Sequence, residues 1–290
     1  MNEPPPADAK LIPGRWGYLL LPALGVLLLV FVLPMINLGT KSLHLSTGPG
    51  REAADYTLQN YLAFFSDSLY WELLGWTSAL GALVTVCTLV SALPLSYFLA
   101  RTQSRLRPIL LLLVIAPMLV SVVIRNLGWL PILGDHGFVN WLVLRSGAAT
   151  EPFRLINNLL GVIIGLVHAL LPFMVLTLTA VIQRIAPELE EASVSLGARP
   201  LATFFRVVLP LALPGIVAGS LLVFSLSISA YTTPALMGGG RIVVMATYIQ
   251  QQVSTLLDYA KGATVSMILL VWVSALSIIA LRFGKVGREA

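Results

Sequence analysis

The stretch ELEEASVSLGARPLATFFRVVLPLALPGI, residues 188–216, sets three glutamates, two arginines and Gly197 between two long apolar runs. Its punctuation is that of two short helices joined by a tight turn. Pro187, just ahead of it, can open a helix, because the first helical N–H has no partner to lose. Glu188, Glu190 and Glu191 then stand in or beside the first turn, where the helix dipole favours anions. Gly197 is a stop that tolerates left-handed backbone. Pro200 can open a second short helix, with Phe204, Phe205, Val207, Val208 and Leu209 as its apolar side, and Pro210 and Pro214 mark the return to apolar sequence. Such an element presents a short knob that a groove in another protein could hold. A solvated connector is the other reading of the same residues.

The flanking runs set the fold class. Of 290 residues, 57% are hydrophobic and 11% charged, with a mean hydropathy of +0.89; a soluble domain carries roughly 25% charged residues. No Asp, Glu, Lys or Arg interrupts the intervals Arg15 to Lys41, Glu72 to Arg101, Arg107 to Arg125, Arg154 to Arg184, Arg206 to Arg241 and Lys261 to Arg282. A helix crossing the hydrocarbon core needs roughly 17–25 residues, and each interval meets that length. Six transmembrane helices are therefore predicted near residues 17–39, 73–100, 108–127, 159–182, 212–235 and 262–282. The runs lack the short alternating pattern of barrel strands. Lipid offers the backbone no partners, so each span must satisfy its own N–H and C=O groups. The expected fold is all-α integral membrane: a membrane domain over 17–285, the loop 184–211 between the fourth and fifth spans, and tails at 1–16 and 286–290. Lys10 and Arg15 precede the first span as they would a signal peptide. Its apolar run is longer than such a segment and no small-residue cleavage site closes it, so it is read as a membrane helix.

The basic residues orient the spans. Lys10, Arg15, the loop RTQSRLR at 101–107, the 183–211 loop and the C-terminal tail hold 11 Lys and Arg in short stretches, against seven in the longer stretches of the opposite set. By the positive-inside rule both termini and the 188–216 stretch are expected in the cytoplasm. The net charge of +5 is then membrane topology and implies no nucleic-acid partner. The opposite face, residues 40–72, 128–158 and 237–261, is nearly neutral. Cys87 is the only cysteine, and His44, His136 and His168 lack metal-ligand spacing, so neither a disulfide within the chain nor a metal site is expected.

The 188–216 stretch resembles the signature loop of binding-protein-dependent ABC importer permeases. That pattern is Glu-Ala-Ala, three residues, Gly, nine residues, then an aliphatic residue, any residue and Leu-Pro. Here it reads Glu191-Ala192-Ser193, Gly197, then Val207-x-Leu209-Pro210, with Ser193 the one departure. The segments MLVSVVIRNLGWLPILGDHGFVNWLVL (118–144), GLVHALLPFMVL (165–176) and SLSISAYTTPALMGGGRIVVMATYIQQQ (225–252) are similar to the first permease subunit of spermidine and putrescine importers. The resemblance covers residues 15–285. It implies a bacterial inner membrane location. It also implies a coupling helix that docks on a dimer of separate ATPase subunits, through Glu190, Glu191, Ala192, Ser193, Gly197, Ala198, Leu209 and Pro210. An extracytoplasmic binding protein and a second, related permease chain are implied partners, and ATP and magnesium would be held by the ATPase.

The remaining motifs fit this expectation without fixing a solute. Gly238-Gly239-Gly240-Arg241 and Gly284-Lys285-Val286 lack the Gly-Lys-Ser/Thr ending of a nucleotide loop, so no ATP hydrolysis is expected in this chain. Intramembrane polar groups are the suspects for a pathway. Ser225, Ser229 and Thr232 fall at i, i+4 and i+7 of the predicted fifth span, with Tyr231 beside them. They either line the pathway or pack helix on helix. Arg125 and Trp129 close the third span, as a gate or a binding-protein contact, or as an arginine snorkelling to the interface. Gly161-Val-Ile-Ile-Gly165 is a GxxxG packing motif. No Asp or Glu lies inside a predicted span, so a cationic solute would have to rely on rings such as Tyr97, Trp129 and Tyr231. Two other functions fit the sequence less well. A secondary transporter lacks the expected repeats and mid-span charges. A serine hydrolase pairing Ser220 with His168 lacks GxSxG.

Overall fold

The structure, a computed structural model, describes residues 17–286. The expected tail 1–16 and residues 287–290 lie outside the described residues. Helix α1 (Gly17–Ser42) leads into a hairpin, β1 (His44–Gly48) and β2 (Arg51–Tyr56). Then follow α2 (Gln59–Ser66), α3 (Ser68–Arg101), α4 (Arg107–Leu119), α5 (Val122–Gly128), α6 (Leu130–Leu133), α7 (Phe138–Arg145) and α8 (Leu159–Ile182). The second half holds α9 (Pro187–Ser195), α10 (Pro200–Thr203), a π-helical turn (Phe204–Val208), α11 (Leu209–Leu211), α12 (Leu213–Ser229), α13 (Thr232–Met237), α14 (Met245–Ser254) and α15 (Tyr259–Val286).

Four unbroken helices are long and apolar enough to cross a membrane: Leu21–Ser42, Ser68–Arg101, Leu159–Ile182 and Tyr259–Arg282. Two further candidates are bent, Arg107–Leu119 with Val122–Arg145 at 107° and Pro200–Leu211 with Leu213–Ser229 at 69°. The single helix expected over 108–127 is thus interrupted. Val120 (ψ 136°) and Ser121 (ψ 138°) are extended and follow Pro117 closely. The freed carbonyl of Pro117 accepts a hydrogen bond from Arg125 Nη1. The helix expected over 212–235 also stops early, at Ala230 (ψ 122°). Ser225 and Ser229 share a face of α12, where Ser229 Oγ donates to Ser225 O at 2.9 Å. Thr232 lies beyond the break, so the i, i+4, i+7 face is not continuous.

The centre is a three-helix packing of α3, α8 and α12. Glycines set its closeness, as small residues do where lipid removes the hydrophobic drive between helices. A Cβ on Gly81 would stand 2.8 Å from Ile228, and one on Gly219 would stand 2.6 Å from Met174 Sδ. Val84, Leu99, Val175, Leu178, Ile182 and Val223 fill the interior. The hydroxyls of α3 do not go unpaired in this setting: Thr77, Ser78, Thr85, Thr88 and Ser91 each donate to the carbonyl four residues back. Helix α1 differs, with no buried residue in its apolar window.

The hairpin is an addition to the expected all-α fold. Pro49-Gly50 forms its turn, with Gly50 at φ 69°, a left-handed conformation that glycine adopts readily. Gly50 N donates to Leu257 O at 2.8 Å, and Lys41 Nζ pairs with Glu52 Oε1 at 2.9 Å. Separately, Phe64 of α2, Tyr70 and Leu74 of α3, Met245 of α14 and Val265 of α15 form a second core. There the Tyr70 and Tyr248 hydroxyls lie 3.1 Å apart. Burial and that hydrogen bond push the Tyr248 hydroxyl up to about 12.

Candidate functional site

Two regions carry the sequence-predicted residues. The first is the knob formed by α9 and α10. Helix α9 begins at Pro187, as its missing N–H permits, with Glu188 and Glu190 in the first turn. It ends in a Schellman motif. Gly197 has φ 87°, Ala198 N donates to Ser193 O at 3.1 Å, and Gly197 N donates to Val194 O at 2.9 Å. The left-handed residue lets the chain reverse while the last carbonyls stay bonded. Pro200 then opens α10, and the Ser193 and Thr203 hydroxyls meet at 3.0 Å across the turn. Ser193, the departure from the family pattern, therefore has a bonding role that alanine would lack.

The knob exposes what a soluble loop would hide. Leu196 is 89% exposed and Leu201 73%, with Leu189, Val194 and Phe205 also open to solvent. Glu191 and Ala192 sit among them on the exposed side. Contiguous exposed apolar groups rimmed by polar ones mark interaction sites. Glu190 behaves otherwise and turns inward. Tyr97 OH donates to its Oε2 at 2.7 Å and Arg101 Nε to its Oε1 at 2.8 Å. Leu209 and Pro210 lie at the bend that leads into α12.

The second region holds the pathway candidates, which fall in two places. Ser225, Ser229 and Tyr231 line a cavity of about 400 Å³ together with Gln250 of α14 and Ser266 of α15. Gln250 and Ser266 were missed in the sequence, since nothing local relates them to α12. Gln250 Nε2 is engaged by Ser254 Oγ at 2.9 Å, which leaves its carbonyl oxygen free to accept. No carboxylate lines this cavity among the described residues. Arg125 and Trp129 stand apart, on and just after α5. Trp129 Nε1 donates to His168 Nδ1 at 3.3 Å, and Asn126 Nδ2 to Thr233 Oγ1 at 3.1 Å. Beneath them Gly165 lets α13 approach α8: a Cβ there would stand 2.7 Å from Thr233 and 2.5 Å from Met237 Sδ. The GxxxG motif is therefore a contact surface for α13. His168 is occupied by Trp129, and among the described residues no hydrogen bond joins it to Ser220.

The described residues form long apolar helices that carry a capped, apolar knob, and comparison with known proteins places them. Residues 92–283 match the family described as binding-protein-dependent transport system inner membrane component. The chain belongs to this family and is the permease subunit of an ABC importer, a multi-pass inner-membrane protein and not a catalytic enzyme. It is 37% identical over 214 residues to the spermidine/putrescine transport system permease protein PotB of Salmonella typhimurium, covering 74% of each chain. With PotB of Haemophilus influenzae it shares 31% over 259 residues, 89% of this chain and 90% of that one. A crystal structure of a bacterial ABC transporter that imports alginate superposes with a TM-score of 0.73 at 17% identity, covering 93% and 94% of the two chains. That likeness is one of fold. The family implies an ATPase and a binding protein as partners.

Proposed function

We propose that this chain forms half of the membrane pathway for a polyamine such as spermidine or putrescine. An extracytoplasmic binding protein delivers the solute, and the α9–α10 knob takes its drive from a dimer of ATPase subunits that hold ATP and magnesium. The other half is a second, distinct permease of related sequence. In this reading the membrane domain spans 17–285 with six crossings, the two bent pairs counting as one each, and both termini lie with the knob in the cytoplasm. The observation that carries it is the geometry of residues 187–205. A Schellman turn at Gly197 holds exposed Leu189, Val194, Leu196, Leu201 and Phe205 around Glu191, a rigid apolar tip of the kind a protein groove receives.

The names of the relatives supply the solute class, and the cavity beside Ser225, Ser229 and Tyr231 fits it in part. Hydroxyl and amide oxygens accept from ammonium groups, and the Tyr231 ring offers a cation–π face. The neutral lining also favours a second reading, in which the solute is another small organic molecule and the binding protein sets the charge preference. The deciding experiment reconstitutes the complex and measures ATP hydrolysis with and without spermidine-loaded binding protein, for the native chain and for Gly197→Pro. Stimulated hydrolysis in the native complex, lost in the variant, upholds the proposal. Full coupling in the variant, or solute movement without any ATPase, overturns it. Stimulation by a different loaded solute and none by spermidine selects the second reading.

A further inference from the structure

Glu190 and Glu191 are adjacent in sequence, about 100° apart around α9, and meet different surroundings. Glu191 is exposed beside the apolar tip, whereas the Glu190 side chain is only 15% exposed and its partner Arg101 20%. Both Glu190 oxygens are taken. Oε2 accepts from Tyr97 OH at 2.7 Å, and Oε1 accepts from Arg101 Nε at 2.8 Å and lies 2.5 Å from its Nη2. The same guanidinium donates through Nη2 to Ile185 O at 3.1 Å. Arg101 therefore grips α9 and the short linker that joins α9 to α8 at once, a use suited to its rigid planar fork. Tyr97 extends the connection, since its ring meets Phe204 edge-on at 5.3 Å, in the π turn that leads toward α12. Tyr97 and Arg101 are the last turns of α3, a member of the central three-helix packing.

Besides these bonds the knob is held to α8 by residues 183–186, with Ile185 buried, and to α12 by the π turn, with Val208 buried in the central core, and the Pro210–Pro214 bend. Each is a place where a push can be absorbed as a change of backbone angle. An exposed ion pair would add little. This one is largely shielded, charge-assisted at three donors, and spans 89 residues of sequence.

We propose that Glu190 is a positioning residue, the strut through which displacement of α9 reaches α3 and the central packing, and that it makes no contact with the ATPase. The inference rests on the reading of α9 as the docking element, and assigns docking to Glu191 and the apolar tip.

The test uses the reconstituted complex of this chain with its ATPase, second permease and binding protein. Two quantities are read for each variant: ATPase subunit captured on affinity purification, and the ratio of hydrolysis with and without spermidine-loaded binding protein. Leu196→Asp should lose capture; if it does not, the docking reading itself fails. Glu190→Gln should capture the ATPase as the native chain does while its stimulation ratio falls about fivefold or more, the scale of a site-to-site coupling. Tyr97→Phe, which removes one donor, should fall less. The exchanged pair Arg101→Glu/Glu190→Arg should recover a ratio well above that of either single variant. Full stimulation in Glu190→Gln, or an exchanged pair no better than the singles, overturns the strut. Loss of capture in Glu190→Gln that the exchanged pair does not repair makes Glu190 a docking residue instead.

Discussion

Asn126 and Thr233, on α5 and α13, are joined by a 3.1 Å hydrogen bond, and each is almost wholly buried. The bond ties the refolded end of the first bent pair to the short helix that follows the break at Ala230. Asn126 Oδ1 has no partner among the described residues, so the amide already stands one bond short. Thr233→Val would orphan its Nδ2 as well. The expected cost is about 1–3 kcal/mol, the penalty for an unpaired buried polar group, while Thr233→Ser should stay near the native value. Thermal unfolding in detergent measures both, and equal midpoints for native and Val proteins would count against the bond.

Glycine substitutions should separate close approach from open helix surface. Gly165→Ala forces a methyl against Thr233 and Met237 and should destabilise by about 1–3 kcal/mol, as overpacking does. Gly75, also within a helix, has nothing within 4 Å of a Cβ position. Gly75→Ala should be neutral or stabilising by up to about 1 kcal/mol through helix propensity. The same unfolding assay compares them.

At Gly197 the constraint is conformational and not steric. Its φ is 87° and a Cβ would meet open space. Gly197→Val should cost about 1–2 kcal/mol for a left-handed residue, and Gly197→Asn less, because Asn visits that region more readily. Binding-protein-stimulated hydrolysis should follow the order Gly, Asn, Val. An unchanged rate for Val would mean that the turn geometry is not used.

The neutral cavity makes a prediction about transport. Ser229→Leu fills it from α12 and should reduce the kcat/KM of spermidine uptake about tenfold, equivalent to about 1.4 kcal/mol. Gln250→Leu should act in the same direction from α14. Uptake into proteoliposomes reports this directly. Native kinetics in both variants would move the pathway elsewhere.

Alkaline pH should weaken the second core through Tyr248. Burial, then the hydrogen bond with Tyr70, push its hydroxyl up to about 12 from an ordinary 10.0. An acid raised on folding contributes its full stabilisation below the unfolded value and loses it as pH climbs toward the folded one. Stability should therefore fall between about pH 10 and 12, and Tyr248→Phe should flatten that part of the curve.

Much of the scaffold could be read from charge spacing alone. The predicted span 159–182 coincides with α8, and 73–100 lies within α3. Pro187, Gly197 and Pro200 act as their backbone chemistry dictates, because caps and left-handed turns are local. The breaks at Val120–Ser121 and Ala230 escaped. A charge-free interval measures length, and it is equally apolar whether the helix runs on or folds back. The hairpin escaped although Gly48-Pro49-Gly50 is a turn signal, since its strands are short and poorly alternating. The opposed roles of Glu190 and Glu191 were invisible for a different reason. Which face of α9 turns inward is decided by Tyr97 and Arg101, which no local pattern ties to that helix.

The open side chains of the knob, Leu196 foremost, also bear on supply. Under the proposed docking of the knob on an ATPase, a chain synthesised in excess of that subunit leaves an apolar tip open to water, a state that quality-control proteases recognise and remove. Small free-energy differences translate into several-fold changes in abundance, so cellular copy number of this permease should be set by its partner's expression more than by its own. Overproduced alone, it should turn over quickly, and co-expression of the ATPase should lengthen its half-life.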